Sequence, residues 1–185
     1  MWYFAYGPNL NACAVADWCR RHGHPSPPLT GGRPAVLDDR RLCFPTYNED
    51  WGGGIADVIY DPGRSVMGVL FEVGQSDLDR LDGKVGRRVD GDGKEVGLYR
   101  RVERTVMPLG GGDPVVATTY EGVARGGGGR APHVPHVPPT RHYMGLLIRG
   151  AFTHGLSLAW ISYLQSFRTQ PGRNPQPRSA HEAAA

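Results

Sequence analysis

The sequence predicts a single α+β domain in which short strands and helices follow one another along the chain. Its 185 residues are enough for one domain with a hydrophobic core and too few for two ordinary domains. The 27 glycines and 16 prolines favour short strands separated by turns. Strand-like segments are interspersed with segments whose apolar residues recur at helical spacing. We expect the domain to cover residues 1–167, with a polar, disordered tail over 168–185.

The chain opens with an aromatic strand that ends in a tight turn. Residues 2–4 (Trp-Tyr-Phe) favour a strand, and residues 7–9 (Gly-Pro-Asn) stop it. Apolar spacing then predicts a helix over 11–22, closed by Gly23. A strand, a turn and a helix start bring several backbone N–H groups around one point, which suits an anion or a developing oxyanion. The same pattern also fits an ordinary buried first strand.

The next part of the chain predicts a run of strands. One strand is expected over 37–47. Strands over 51–60 and 65–73 are expected to pair as a hairpin through an Asp-Pro-Gly turn at 61–63. The three glycines at 52–54 would let a ligand approach the backbone closely, or would form a flexible loop.

A short helix and two further strands follow. The helix begins within residues 75–82, with Ser76 placed to cap it. Residues 83–97 are rich in glycine and charge, so we expect a mobile insertion. Strands are predicted over 98–109 and 115–123.

The C-terminal part predicts two helices after a long connector. Helices are expected over 140–155 and 157–167, where apolar residues recur at helical spacing. The glycine- and proline-rich stretch 125–139 connects them to the strands. It contains His133 and His136, but a proline-rich loop does not give them helical geometry, and we expect no metal site.

Charge and cysteine content narrow the function classes. The net charge of +3 is mild and the arginines are scattered, so nucleic acid is not expected as a partner. The three cysteines (Cys13, Cys19 and Cys43) are odd in number and lack C-x-x-C spacing, which favours a reduced, cytoplasmic protein. No leader and no run of eighteen apolar residues is found, so no membrane is expected as a partner either.

Several segments resemble the gamma-glutamylcyclotransferase-like family. Residues 3–10 (YFAYGPNL) are similar to its N-terminal signature, which usually reads Tyr-Gly-Ser-Asn-Leu at the turn, with Pro8 in place of the serine. Further similar segments occur in the family's order, and they are 51–63, 68–72, 77–82, 98–102, 118–120 and 137–143. The resemblance implies a small mixed, mostly antiparallel β-barrel with flanking helices. It also implies a pocket where the turn at residues 6–10 meets later loops.

The resemblance further implies conversion of a gamma-glutamyl amide into 5-oxoproline and a free amine. The substrate's own α-amine attacks its γ-carbonyl, so the site must fold the substrate, move one proton and stabilise an oxyanion. No metal or organic cofactor is required. The partner is a small molecule with an amino-acid or carboxylate group, and the oligomeric state stays open. The implied substrate-binding residues are Tyr6, Gly7, Pro8, Asn9, Leu10, Val85 and Tyr143.

The family's catalytic carboxylate is missing at its expected position. In the family, a glutamate follows a Leu-Asp pair by three residues and precedes a glycine. Here the pair is Leu81-Asp82, and the position holds Val85, followed by Gly86. Valine cannot carry a proton.

Three interpretations of this departure stay open. In the first, another acid carries the proton, and Glu95 is the leading candidate because it lies just ahead of the strand that the family's loop rejoins. Lesser candidates are Asp57, Glu72 and Asp82. In the second, the fold serves a divergent cyclase, lyase or acyl transferase of specialised metabolism, with Tyr143 or Tyr120 as a polar partner. In the third, the chain is a non-catalytic small-molecule-binding module. The sequence favours the enzyme.

Overall fold

The strands form a closed barrel that helices surround. The computed structural model describes residues 1–27, 29, 31–123 and 135–172. Within them the strands are β1 (Trp2–Ala5), β2 (Arg33–Asn48), β3 (Gly53–Glu72), β4 (Tyr99–Pro108) and β5 (Val115–Gly122). The helices are α1 (Ala12–Arg21), α2 (Gln75–Val85), α3 (Arg141–Thr153) and α4 (Leu158–Gln165), and a 3₁₀ turn (Pro8–Leu10) joins β1 to α1.

The barrel has the strand order β1-β3-β2-β4-β5 and is closed by the pairing of β1 with β5. That last pair is parallel, with Tyr3 opposite Thr118, whereas the other neighbours are antiparallel. At the seam, the buried hydroxyl of Thr119 donates a hydrogen bond of 2.8 Å to the carbonyl of Phe4. The mixed, mostly antiparallel barrel with flanking helices, which the resemblance implied, is therefore confirmed.

The predicted hairpin turn at residues 61–63 is wrong. β3 runs through this sequence and pairs with β2 on both sides of it. The tight turn lies at 49–52, where it joins β2 to β3. At the Asp-Pro-Gly sequence β3 bulges instead, with residues 61–64 opposite Asp39, whose carboxylate accepts a 3.0 Å hydrogen bond from the N–H of Gly63. A bulge accommodates a proline inside a strand without breaking the strand.

Helix α2 is longer than predicted and begins differently. Its N-cap is Gly74 rather than Ser76, and the carboxylate of Asp77 accepts a 2.9 Å hydrogen bond from the Gly74 N–H. The helix continues to Val85 and ends at Gly86, whose φ of 74° is left-handed and suits glycine. The start of the predicted insertion is therefore helical, and residues 83–85 form the last part of α2.

The segment before α3, rather than a ligand, packs against the glycines at 52–54. A Cβ on Gly54 would lie 2.0 Å from the carbonyl oxygen of Val137. The Gly54 N–H donates to the carbonyl of Pro138 at 3.1 Å, so the segment before α3 packs directly on β3. This close approach explains Gly54, and a left-handed φ of 62° explains Gly52.

The chain beyond α4 is partly attached to the domain. Gln170, in the stretch predicted as a tail, pairs with Thr140 as a β-bridge and donates from its side chain to the carbonyl of Gly52 at 3.1 Å. Residues 173–185 lie outside the described residues, and the division of the chain at residue 167 stays a prediction. His133 also lies outside them, and His136 packs against the ring of Phe167. None of the described helices is long and apolar enough to span a membrane.

Candidate functional site

A cavity of about 550 Å³ opens where the 3₁₀ turn, the end of α2, the β2–β3 turn and the start of α3 meet. Six of the seven predicted substrate-binding residues line it, and they are Tyr6, Gly7, Pro8, Asn9, Val85 and Tyr143. Leu10 does not line the cavity. It is buried beneath α3, where a Cβ on Gly150 would lie 2.5 Å from the Leu10 Cβ.

The turn after β1 offers fewer free amides than the sequence predicted. Pro8 occupies the first position of the 3₁₀ turn, where its lack of an N–H costs little. The Leu10 N–H donates to the Gly7 carbonyl and the Asn11 N–H to the Pro8 carbonyl, both at 3.0 Å. The cap of α1 is Asn11, which leaves the side chain of Asn9 for the cavity.

The cavity contains a polar chain that sequence reasoning missed. The Nζ of Lys84 donates a 2.7 Å hydrogen bond to Oδ1 of Asn9. The Nδ2 of Asn9 in turn donates to the hydroxyl of Tyr3 at 2.9 Å, and all three residues line the cavity. Burial lowers the pKa of Lys84 to about 8, with the neighbouring Arg21 acting in the same direction. A lysine in this range exchanges protons near neutral pH.

Tyrosines form much of the remaining wall. The Tyr6 hydroxyl donates to the carbonyl of Tyr120 at 2.5 Å, and the Tyr99 hydroxyl donates to the carbonyl of Ala56 at 2.5 Å. The Tyr143 hydroxyl accepts a 2.8 Å hydrogen bond from the Ala56 N–H, so its own hydrogen can be donated to a ligand. Burial raises the pKa of Tyr6, Tyr120 and Tyr143, and these hydroxyls stay neutral at physiological pH.

Glu95 does not line the cavity. Its Oε1 accepts hydrogen bonds of 3.0 and 2.7 Å from the guanidinium of Arg87, which also donates to Asp82 at 2.9 Å. Asp82 accepts two more hydrogen bonds, from Arg101 at 2.7 Å and from the Tyr120 hydroxyl at 2.8 Å. Of these five residues only Tyr120 lines the cavity, so the Tyr120 hydroxyl is what connects Asp82 to the cavity.

The other acids considered from the sequence also lie elsewhere. Asp57 is buried and accepts hydrogen bonds from the N–H groups of Val58 and Gly122 at 2.8 and 3.0 Å. Glu72 is exposed at the end of β3. Among the described residues that line the cavity, Asp50 is the one that carries a carboxylate, and it is exposed in the β2–β3 turn.

Two tryptophans line the cavity, and a histidine stacks on each of them. Trp18 of α1 stacks on His22, with ring centroids 4.2 Å apart. Trp51 of the β2–β3 turn stacks on His142 and meets Tyr143 edge-on at 5.0 Å. Aromatic faces of this kind suit an apolar or aromatic part of a ligand.

Comparison with known proteins agrees with this architecture. The model of the AIG2-like family matches residues 65–164. Gamma-glutamylcyclotransferase from Bos taurus is 29% identical over 168 residues, which are 89% of this chain and 77% of that protein. The Homo sapiens protein of the same name is 27% identical over 172 residues. A solved structure of a gamma-glutamyl cyclotransferase matches 92% of this chain and 89% of its own, with a TM-score of 0.67 and 23% identity.

Proposed function

Because the chain belongs to the AIG2-like, gamma-glutamylcyclotransferase-like family, we propose that it converts a gamma-glutamyl amide into 5-oxoproline. The amine of the amide is released. The bond that forms joins the α-nitrogen to the γ-carbonyl carbon, and the bond that breaks joins this carbon to the leaving nitrogen. One proton moves from the attacking to the leaving nitrogen. The reaction consumes no water and no co-reactant.

The observation that carries this proposal is the cavity itself. Its volume of about 550 Å³ lies in the range of small-molecule sites. Its walls combine apolar surface with the hydroxyl of Tyr143, the amide of Asn9 and the amine of Lys84. Such a site holds a flexible substrate in a folded shape, which brings the α-amine close to the γ-carbonyl and lowers the barrier to ring closure.

Individual residues fit separate parts of this task. The hydrogen of the Tyr143 hydroxyl is placed to be donated to the carbonyl oxygen as negative charge develops there. Arg88, which also lines the cavity, supplies a guanidinium for the substrate's α-carboxylate. Trp18 and Trp51 offer apolar faces to the leaving amine, which favours amines with an aromatic or apolar substituent.

The test is release of 5-oxoproline from a panel of gamma-glutamyl amines and gamma-glutamyl dipeptides, followed by mass spectrometry. We expect turnover by the natural protein, with the highest kcat/KM for aromatic amines. A Val85→Glu variant run in parallel returns a carboxylate to the family's position. Activity in this variant alone would mean that the cavity persists while the reaction of the natural protein has been lost or changed.

Glu95→Gln is the matched test of the acid that the sequence suggested first. Because Glu95 pairs with Arg87 away from the cavity lining, we expect the variant to retain kcat within about threefold. A loss of about a hundredfold or more, with KM unchanged, would instead make Glu95 the proton carrier.

A second candidate function is a non-catalytic binding module. It is favoured by Pro8 and Val85, which both line the cavity and both lack a functional side-chain group. Calorimetric titration with glutamate and with 5-oxoproline separates the two functions. Binding of either molecule, together with no release from any amide in the panel, would favour the module.

A further inference from the structure

Lys84 lies beside the position where the resemblance places the family's glutamate. It belongs to the last turn of α2, immediately before Val85, and both residues line the cavity. Its amine is held at 2.7 Å by Oδ1 of Asn9, a neutral acceptor that imposes no charge on it. Its direction is therefore fixed, and no carboxylate of the described residues forms an ion pair with it.

We propose that Lys84 is the group that moves the proton in the ring closure, a role that rests on the proposed function. As a neutral amine it accepts the proton that the attacking α-nitrogen loses when the new carbon–nitrogen bond forms. As an ammonium it then donates that proton to the leaving nitrogen while the old carbon–nitrogen bond breaks. The lysine is regenerated as the neutral amine, and atoms and charge balance.

The surroundings of Lys84 favour this alternation between charged and neutral forms. From α1, the buried Cys19 favours the charged form of the amine, whereas the guanidinium of Arg21 disfavours it. On its other side lie Asn9 and, beyond it, the neutral hydroxyl of Tyr3. Among the described residues, the other titratable groups that line the cavity are the remaining tyrosines together with His22, Asp50 and Arg88, of which the last three are exposed. Burial lowers the pKa of Lys84 to about 8, which makes its neutral amine accessible near that pH.

A competing role for Lys84 is to bind the substrate's carboxylate as a fixed positive charge. The two roles differ in what an arginine does at this position. Arginine keeps the charge but does not release a proton under these conditions. An anchoring lysine is therefore replaceable by arginine, whereas a proton-transferring lysine is not.

The decisive experiment measures kcat against pH for the natural protein and for Lys84→Arg and Lys84→Met. For the natural protein we expect kcat to rise with pH and to level off above about 8, unlike a carboxylate base, which would level off several units lower. Both variants should lose about a hundredfold or more in kcat, with a smaller change in KM for Lys84→Arg. Lys94→Met, at an exposed position, is the matched control and should leave kcat unchanged.

A second readout does not depend on turnover. Lys84 and Lys94 are the two lysines of the sequence, so reductive ¹³C-methylation gives two side-chain signals that Lys94→Met assigns. We expect the Lys84 signal to titrate near pH 8, well below the ordinary pKa of a lysine side chain. Titration of the Lys84 signal at the ordinary pKa of a lysine, or full kcat in Lys84→Arg, would overturn the role of Lys84. If Lys84 titrates near pH 8 but the protein releases 5-oxoproline from none of the amides in the panel, the ring-closing function is overturned, while the lowered pKa of Lys84 is supported.

Discussion

At the scale of single residues, Lys84 lowers the stability of the protein that holds it. Burial lowers its folded-state pKa from 10.5 to about 8, so the folded protein carries the full penalty of this partly buried charge below pH 8. The penalty fades between about pH 8 and 10.5, where the folded state releases its proton before the unfolded state does. We predict that Lys84→Met raises the free energy of unfolding at pH 7 by about 1–2 kcal/mol, after allowing for the lost hydrogen bond to Asn9.

Urea unfolding at pH 7 and at pH 10 checks this prediction, and the gain should shrink at the higher pH. Lys94→Met is the control, because its exposed side chain should change stability by less than about 0.5 kcal/mol. A Lys84→Met variant that is less stable than the natural protein at pH 7 would contradict the claim that burial of the Lys84 charge costs stability. A residue that costs stability while it lines a cavity is typical of a functional site.

The sequence predicted six cavity residues but missed Lys84, and the reason lies in the extent of α2. Tyr6, Asn9 and Tyr143 belong to motifs that can be recognised locally. Lys84 lies in a stretch that reads as a charged, glycine-containing loop, and its role depends on α2 continuing past Asp82 and on contact with Asn9. Contacts between residues that far apart in the chain leave no periodic pattern in the sequence.

At the scale of elements, α3 supports the cavity through its contact with the turn after β1. A Cβ on Gly150 would lie 2.5 Å from the Cβ of Leu10 and 2.7 Å from its carbonyl carbon. Backbone cannot move aside as a flexible side chain does, so we predict that Gly150→Ala destabilises the protein by about 1–3 kcal/mol. We also expect weaker ligand binding, because Leu10 directly follows Asn9.

Gly145→Ala in the same helix is the control for this prediction. There the added Cβ meets the far end of the Arg149 side chain at 3.1 Å, which can rotate away. We expect a gain of up to about 1 kcal/mol from the better helix propensity of alanine. Equal effects of the two substitutions in denaturant unfolding would show that helix propensity, rather than the contact with Leu10, decides the outcome at residue 150.

The elements themselves were largely predictable, except where a strand passes through a turn sequence. Helices α1, α3 and α4 begin at side-chain caps, and α1 and α3 end near a glycine, as local chemistry dictates. The Asp-Pro-Gly sequence at 61–63 is a strong turn signal, yet β3 continues through it because both flanking segments pair with β2. Pairing over the length of a long strand outweighs a local preference that a bulge can absorb.

At the scale of the whole molecule, the chain after α4 is attached to the turn that borders the cavity. The Gln170 N–H donates to the Pro139 carbonyl at 3.0 Å, and its carbonyl accepts from the Arg141 N–H at 3.1 Å. Its side-chain amide donates to the carbonyls of Gly52 and Pro138 at 3.1 and 2.9 Å. One residue thus connects the β2–β3 turn, the segment before α3 and the start of α3.

We therefore predict that two C-terminal truncations differ sharply. Deleting residues 168–185 removes all four hydrogen bonds of Gln170 and should lower stability by about 2–4 kcal/mol, or about 5–10 °C in Tm. It should also raise KM, because Trp51 lies in the turn that Gln170 holds. Deleting only 173–185 keeps these bonds and should lower Tm less than the longer deletion does. Calorimetry and substrate titration compare the two proteins, and an identical Tm would mean that the domain ends at residue 167, without a contribution from Gln170.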